Sequence, residues 1–278
     1  MNHRGCLGET TGSAGSYAGH SNGYLRRTLF ARAEGSVHQE AVVAELEPGG
    51  AVARHLHAFE EAFYVLDGDL VLEVAGGTEA LVAGDYVFVE RGVAHALRND
   101  SGTVTSWFEV SAPQPGAALD DTVFVDTNRQ PEGLETPYRK GHFDPSDLPA
   151  PSSAIGLAGF GAANVGGAAL EILVGPDTGA SQLNLMVVQY THGGFITPHD
   201  HAFEEGFFFL TGEIEAELDG ETHNLGAGDY FWSGVGSMHA LTNRGAEPVR
   251  WLETQVPQPP SRHQARFVAD WRRYLSAD

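Results

Sequence analysis

The sequence predicts an all-β fold built from two similar halves, with a short helix at the C-terminus. Apolar residues alternate with a period of two, and glycine-containing turn signals interrupt them about every ten residues. One pattern of residues also occurs twice, 144 positions apart (199 minus 55, for example). A length of 278 residues suits two ordinary domains better than one.

The composition excludes several classes of partner. The formal charge is −21 and the chain has only 16 Lys plus Arg, so it lacks the cationic clusters that hold phosphate groups. We therefore expect a small-molecule substrate, with no nucleic acid and no membrane as partners. The single cysteine, Cys6, excludes an intramolecular disulfide, and residues 1–23 are polar rather than signal-like. A cytoplasmic location is the simplest expectation.

The repeat divides the chain into five segments. They are a partly flexible N-terminal arm at 1–30, a first β-module at 31–118, a connector at 119–180 whose apolar residues can supply edge strands, a second β-module at 181–260, and a helix at 261–278. The helix is predicted because Phe267, Trp271, Tyr274 and Leu275 fall at helical spacing.

Each module carries the residue types of a divalent metal site. The candidate ligands are His55, His57, Glu61 and His95 in the first module and His199, His201, Glu205 and His239 in the second. Three imidazoles and one carboxylate suit Fe, Mn, Ni, Co or Zn, so we expect one divalent transition metal per module. Four protein ligands on an octahedral ion leave two positions for water, dioxygen or substrate.

Strand alternation predicts which side chains accompany the ligands. A strand over 55–65 places its odd positions on one face, and the second copy repeats this phase. The expected pocket-lining residues are Phe59, Phe63, Phe203, Phe207 and Phe209, with Met238 added for the second module. The pockets should therefore be apolar. Glu60 and Glu204 should point away from the metal, towards the surface or the other module.

Two further pairs recur near the last strand of each module. They are Trp107 with Glu109 and Trp251 with Glu253. Such residues can orient a metal ligand through hydrogen bonds, or can simply pack in the core.

The ligand spacing resembles the two-part motif of the cupin superfamily. The matching residues are Gly49, His55, His57, Glu61, Gly68, Gly84, Gly92, His95 and Asn99, followed in the second copy by Gly193, His199, His201, Glu205, Gly212, Gly228, Gly236, His239 and Asn243. Glu90 and Gly234 replace the proline usual in the second part of the motif. The resemblance implies two jelly-roll β-barrels in tandem, each with a metal inside, as a monomeric bicupin or a homodimer.

The resemblance also implies an activity. Quercetin dioxygenase-like bicupins suggest a metal-dependent dioxygenase acting on an enol, flavonol, diketone or dihydroxyaromatic, with Glu61 or Glu205 as both ligand and general base. A redox-neutral hydrolase, decarboxylase or isomerase is the alternative, because the layout is similar to ureidoglycine aminohydrolase and the ligand set to oxalate decarboxylase. A non-enzymatic metal or small-molecule binding module is the second alternative. GxSxG and HExxH motifs are absent, which argues against a serine hydrolase or zincin protease.

Overall fold

The computed structural model describes residues 1–116, 121–127, 131–134, 137–152, 162–262 and 264–268, and its regular structure is almost entirely β. The strands are β1 Asn2–Cys6, β2 Gly12–Ser13, β3 Ser21–Phe30, β4 Glu40–His57, β5 Glu60–Asp67, β6 Asp69–Val74, β7 Gly77–Val82, β8 Asp85–Val89, β9 His95–Arg98, β10 Thr105–Ala112, β11 Thr122–Phe124, β12 Tyr138–His142, β13 Val165–Val174, β14 Asn184–Asp200, β15 Glu204–Thr211, β16 Glu213–Leu218, β17 Glu221–Gly226, β18 Asp229–Ser233, β19 His239–Thr242, β20 Val249–Val256 and β21 Arg266–Phe267. Short 3-10 helices lie at Leu7–Glu9, Gly15–Tyr17, Arg32–Glu34, Pro145–Asp147 and Pro176–Thr178.

The strands form two curled antiparallel sheets of the same design. The first has the order β12-β8-β5-β10-β4-β9-β6-β7, with β3 and β11 also on β4 and β2 on β3. The second has the order β1-β18-β15-β20-β14-β19-β16-β17, with β13 and β21 also on β14. The two orders correspond strand for strand, so the prediction of two tandem jelly-roll barrels is confirmed.

One long strand in each barrel brings the distant ligands together. The first half of β4 pairs with β10, while its last residues pair with β9. This bend places His55 opposite His95 in the ladder, and β14 places His199 opposite His239 in the same way. Residues far apart in sequence therefore meet because a single strand serves two faces of its barrel.

The segments outside the repeat are shared between the barrels. Within the arm 1–30, β1 pairs with β18 of the second barrel and β3 with β4 of the first. The connector supplies edge strands as expected, since β12 pairs with β8 and β11 with β4 of the first barrel. Strand β1, which precedes the first barrel in the chain, thus extends an edge of the second barrel. Strand β12, which precedes the second barrel, extends an edge of the first.

The C-terminal prediction divides into two parts. Arg266 and Phe267 form strand β21 on β14 instead of helix, because Phe267 is buried in the second barrel and stacks on His199 at 5.2 Å between ring centroids. The remainder of the predicted helix, 269–278, lies outside the described residues. No helix in the part of the chain that the structure describes has the length and apolar character needed to cross a membrane.

Alternation along the strands separates two kinds of core. On β5, Phe63 faces the interior of the first barrel, while its neighbours Ala62 and Tyr64 face the second barrel. Between the barrels, the rings of Phe108 and Phe208 stack at 5.8 Å. Burial of each such aromatic side chain contributes about 1.5–3 kcal/mol, so this interface holds the barrels together.

Two buried glutamates reinforce that interface reciprocally. Glu60 of the first barrel accepts hydrogen bonds from the backbone N–H and hydroxyl of Ser181, at 3.0 and 2.5 Å, and from the N–H of Gln182 at 2.9 Å. Glu204 of the second barrel accepts from the Ser36 hydroxyl at 2.6 Å and the Val37 N–H at 2.8 Å. The expectation that these residues turn from the metal and contact the other module is confirmed.

We predict that Glu60→Gln lowers the free energy of unfolding by about 2–3 kcal/mol, because the amide places an N–H₂ group against donors that now face a carboxylate. Denaturant unfolding monitored by tryptophan fluorescence measures the change. Glu213→Gln, at an exposed position on a strand, is the matched control and should change stability by less than about 0.5 kcal/mol. Equal stabilities of the two variants would contradict a role for Glu60 at the interface.

Candidate metal centres

The ligand segment is two strands rather than the single strand predicted over 55–65. β4 ends at His57 and β5 begins at Glu60, so Ala58 and Phe59 form a break. Phe59 uses this break to stack on His57, at 4.3 Å between ring centroids and 16° between planes. In the second barrel, Phe203 stacks on His201 at 4.1 Å and 8°. The break therefore packs a phenyl ring against the second histidine of each set.

In the second barrel, the four predicted ligands converge completely. One donor atom from each of His199, His201, Glu205 and His239 lies within 4.8 Å of the others. A carboxylate oxygen of Glu205 is 2.8 Å from Nε2 of His201 and 3.1 Å from Nε2 of His239. All four side chains are buried.

In the first barrel, the histidine donors of His55, His57 and His95 show the same mutual spacing. Glu61 lies beside two of them, with its carboxylate oxygens 3.1 Å from Nε2 of His95 and 3.5 Å from Nε2 of His57. These four side chains are also buried, each with at most 3% exposure. The structure thus brings together every ligand predicted from the sequence.

The Nδ1–H groups determine which ring nitrogen faces the site. Five of them donate to backbone carbonyl oxygens: His55 to Ala53 O at 2.7 Å, His95 to Val93 O at 3.0 Å, His199 to Thr197 O at 2.9 Å, His201 to Phe203 O at 2.6 Å, and His239 to Ser237 O at 3.1 Å. A neutral imidazole that donates from Nδ1 carries its lone pair on Nε2, so these five rings turn Nε2 to the centres. Nδ1 of His57 lies 3.0 Å from Thr122 Oγ1, and its Nε2 lies 3.5 Å from Glu61 and 3.2 Å from the Tyr17 hydroxyl.

This arrangement fits a bound cation. At 3.1 Å, the Nε2 lone pair of His95 faces an oxygen of Glu61, and two acceptors repel at that distance unless a proton or a metal ion lies between them. Among the described residues, no hydrogen-bond donor reaches either oxygen of Glu61. Buried nitrogen and oxygen acceptors that converge in this way are what a divalent transition metal requires, so both groups could hold one.

The two centres differ in the pKa shifts of their candidate ligands. In the first barrel, burial raises the pKa of Glu61 to about 8 and lowers the pKa of His95 to about 4, so the neutral forms are favoured. In the second, burial also opposes charge, but the Glu205 carboxylate raises the pKa of His201, and His201 in turn lowers the pKa of Glu205. Electrostatics thus favour neutral side chains at Glu61 and His95, and an ion pair between His201 and Glu205.

The recurring tryptophan and glutamate pairs act on the ligand glutamates. The indole N–H of Trp107 donates to Glu109 at 3.1 Å, and that of Trp251 donates to Glu253 at 3.0 Å. In the second barrel, the amide of Gln255 donates to both Glu253 and Glu205, at 3.2 and 3.0 Å. In the second barrel, the pair is therefore joined through Gln255 to the carboxylate of Glu205 rather than to a histidine.

The cavities beside the two centres are very unequal. A cavity of about 800 Å³ adjoins the first centre. None of the four candidate ligands lines it, but Tyr17 and Phe59 on its wall contact His57, and its other lining residues include Arg26, Glu40, Glu109 and Gln114. The cavity in the second barrel measures about 40 Å³ and is bounded by Leu170, Val188, Phe207 and Trp251 together with ligands. The latter volume admits a water or a diatomic molecule but no organic substrate.

The predicted pocket-lining residues are distributed unevenly. Phe59 lines the first cavity and Phe207 the second. Phe63, Phe203 and Phe209 are buried, with Phe63 packing 6.3 Å from the ring of His95. Met238 is half-buried, and its backbone N–H donates to Asp219 at 3.2 Å.

The expected apolar lining describes the second cavity, but it is wrong for the first, whose walls carry charged and amide side chains.

Three residues that sequence reasoning missed explain the polar first cavity. The hydroxyl of Tyr17 lies 3.2 Å from Nε2 of His57, the hydroxyl of Thr122 hydrogen-bonds to the other nitrogen of that ring, and Arg26 lies on the cavity wall. Tyr17 and Arg26 come from the N-terminal arm and Thr122 from the connector. They lie outside the detectable repeat, so the internal comparison held no signal for them.

Known proteins resemble the chain in sequence and in fold. The family model described as a cupin domain matches residues 42–111 and again residues 186–254, which together make up half of the chain. The tetracenomycin polyketide synthase protein TcmJ of Streptomyces glaucescens is 33% identical over 102 residues, covering 35% of this chain and 64% of that protein. The chain therefore matches less than two thirds of that relative's length.

Solved structures share the two-barrel fold. Oxalate decarboxylase of Lactobacillus farciminis aligns with a TM-score of 0.67 and 17% identity, covering 99% of this chain and 90% of the other. Salicylate 1,2-dioxygenase of Pseudaminobacter salicylatoxidans aligns with a TM-score of 0.71 and 16% identity, covering 92% and 84%. At these identities, the likeness shows the fold alone.

We predict that His57→Ala and His201→Ala each remove one equivalent of metal, because each change deletes a ligand from only one centre. Mass spectrometry of the metal content after loading and desalting measures this. His142→Ala, which alters an exposed histidine, is the control and should retain both equivalents. Retention of both equivalents by either ligand variant would show that the site is assigned wrongly.

Proposed function

The chain belongs to the cupin domain family, and on this premise we propose that it is a metal-dependent enzyme whose first barrel oxygenates a small enolic or phenolic substrate. The observation that carries the proposal is the cavity of about 800 Å³ beside the first centre, set against about 40 Å³ in the second. Drug-sized and smaller organic ligands occupy cavities of roughly 300–1,000 Å³. The cavity at the second centre is too small for such a ligand.

The residues of the first barrel would divide the work. His55, His57, His95 and Glu61 would hold a divalent metal, which supplies a Lewis acid for substrate oxygens and, when redox-active, a partner for dioxygen. The hydroxyl of Tyr17, at 3.2 Å from a ligand nitrogen, is placed to donate a hydrogen bond to a substrate oxygen at the centre. Phe59 packs on His57 and excludes water from that ligand.

A carboxylate beside the centre would accept the substrate proton. Glu109 lines the cavity and is buried at 4% exposure, with its oxygen held by the indole of Trp107. Burial, and then the nearby carboxylate of Glu61, raises the pKa of Glu109 to about 8. This placement supports Glu109 as general base in addition to Glu61. Glu205, the candidate base of the second barrel, would have no organic substrate to act on.

The relatives support a substrate that carries enol or phenol oxygens. TcmJ is a polyketide synthase protein, and polyketides are rich in β-diketone and dihydroxyaromatic groups. Salicylate 1,2-dioxygenase shares the fold. In the proposed reaction, one carbon–carbon bond of the substrate breaks and both atoms of O₂ enter the product. The substrate supplies all the electrons, so no external reductant is required.

The second barrel would have a structural role. Its small cavity excludes an organic substrate, and its internal pair of His201 and Glu205 stabilises the centre even without metal. Apolar residues close the space that the first barrel leaves open. A metal there would stabilise the fold by binding only the folded state.

The test is oxygen consumption with flavonols, β-diketones and dihydroxyaromatics after loading with Fe, Mn, Ni or Co. We expect uptake of one O₂ per product, with two ¹⁸O atoms incorporated from ¹⁸O₂. His57→Ala should abolish turnover, whereas His201→Ala should retain it. Turnover that depends on the second centre, or no turnover in any metal form, would contradict the proposal.

A redox-neutral reaction is the second candidate, favoured by the polar wall of the first cavity. Arg26, Glu40 and Gln114 suit a substrate with several polar groups, as decarboxylation or cyclisation of a polyketide requires. The same assay separates the two candidates. Product formed under argon at the aerobic rate would establish redox-neutral chemistry in place of oxygenation.

We predict that Tyr17→Phe lowers kcat about tenfold, the effect of losing one hydrogen bond of about 1.4 kcal/mol in the transition state. Steady-state kinetics gives kcat and KM, and metal analysis of the same sample should still show a full first centre. A loss of metal with unchanged kcat per bound metal would assign Tyr17 to metal retention instead.

A further inference from the structure

We propose that Arg26 forms a subsite for a carboxylate on the substrate of the first barrel, so that the enzyme selects acidic enols or phenols over neutral ones. The inference rests on the proposed function for the identity of the cavity as the substrate site. It adds a specificity determinant that lies outside the cupin motif, on strand β3.

The two barrels have different types of residue at the strand position of Arg26. Arg26 corresponds to Leu170 at the 144-residue offset, and both line the cavity of their own barrel. Its ion-pair partner Glu40 corresponds to Asn184. The barrel with room for a substrate thus has a charged pair where the closed barrel has an apolar side chain and an amide. The same strand position in the second barrel is therefore filled without an arginine.

The guanidinium retains donors that the protein does not use. One Nη2–H of Arg26 donates to Glu40 at 2.9 Å, and the side chain is only 12% exposed. Its Nε is buried and, among the described residues, has no hydrogen-bond acceptor. A buried N–H without an acceptor is unfavourable, so the site favours a ligand that supplies one.

The chemistry of the guanidinium identifies the ligand. Its N–H groups only donate, and they form a planar fork that matches the two oxygens of a carboxylate. Gln114, on the same cavity wall, presents an unpartnered buried Oε1 that would accept from a neighbouring hydroxyl of the ligand. An acid that also carries a hydroxyl satisfies both groups.

The arm holds Arg26 in place from the other side. At Gly15, a Cβ atom would lie 2.7 Å from Cδ of Arg26, so only glycine, which here has a φ of +55°, allows the arm to cover this side chain. Tyr17, two residues further, reaches the ligand His57. The same short helix therefore contacts both the proposed carboxylate subsite and the metal centre, and a substrate bound to one is directed to the other.

The experiment measures binding to protein loaded with Zn²⁺, so that no turnover intervenes. The probes are 2,3-dihydroxybenzoate and catechol, which differ by one carboxylate, and titration calorimetry gives both affinities. The variant Arg26→Leu with Glu40→Asn reproduces the pair of the second barrel and leaves no unpaired buried carboxylate. Arg27→Leu is the control, because Arg27 is the next residue on β3 and pairs with Glu45 outside the cavity.

We expect the wild-type protein and the Arg27→Leu control to bind the acid at least tenfold more tightly than catechol. The double variant should lose about 10–100-fold in affinity for the acid, and its affinity for catechol should change less than twofold. Arg26→Lys should recover part of the loss, because it keeps the charge without the fork.

Equal losses for both probes, equal affinities in the wild-type protein, or no binding of the acid at millimolar concentration would overturn the inference. Its failure is distinguishable from failure of the proposed function. Acid selectivity without oxygen uptake would refute only the oxygenase assignment, whereas oxygen uptake without acid selectivity would refute only the role of Arg26.

Discussion

The architecture of each barrel depends on the close approach of hydrogen-bond acceptors, imidazole nitrogens and a carboxylate, in its interior. Imidazole lone pairs, directed inward by Nδ1–H hydrogen bonds to carbonyl oxygens, meet a buried carboxylate at 2.8–3.5 Å. Such groups repel unless a cation or a proton lies among them. The strand break at Ala58 and Phe59, the bend of β4 and the ladder partner His95 all serve to hold this arrangement in a water-poor interior.

The same strand that holds a ligand also holds the barrels together. Glu61 points to the centre of the first barrel, while Glu60 is bound by the backbone at Ser181 of the other module, and Glu205 and Glu204 repeat the arrangement. Because successive residues of a strand face opposite sides, one short segment connects the metal centre to the inter-barrel contact. Each centre is therefore structurally linked to the other module.

The two barrels share their strand order and candidate ligands but differ in the residues that fill their interiors. Ligands, turn glycines and strand order correspond at the constant offset, yet the cavities differ from about 800 to about 40 Å³. The difference arises from strands β3 and β13, the N-terminal arm and the connector, which contribute Tyr17, Arg26 and Leu170. In the proposed function, chemistry on an organic substrate would therefore occur in the first barrel, while the second keeps a compact centre.

The sequence alone predicted the candidate ligands, the two-barrel fold and the phase of the strands that carry those residues, because a motif repeated at a constant offset reports strand periodicity and spacing directly. It also placed Glu60 and Glu204 away from the metal by alternation. Only the tertiary structure decided that Phe59 sits in a break, that β1 extends the distant barrel and that the first cavity is polar. These features depend on contacts between segments far apart in the chain and outside the repeat, for which local pattern carries no information.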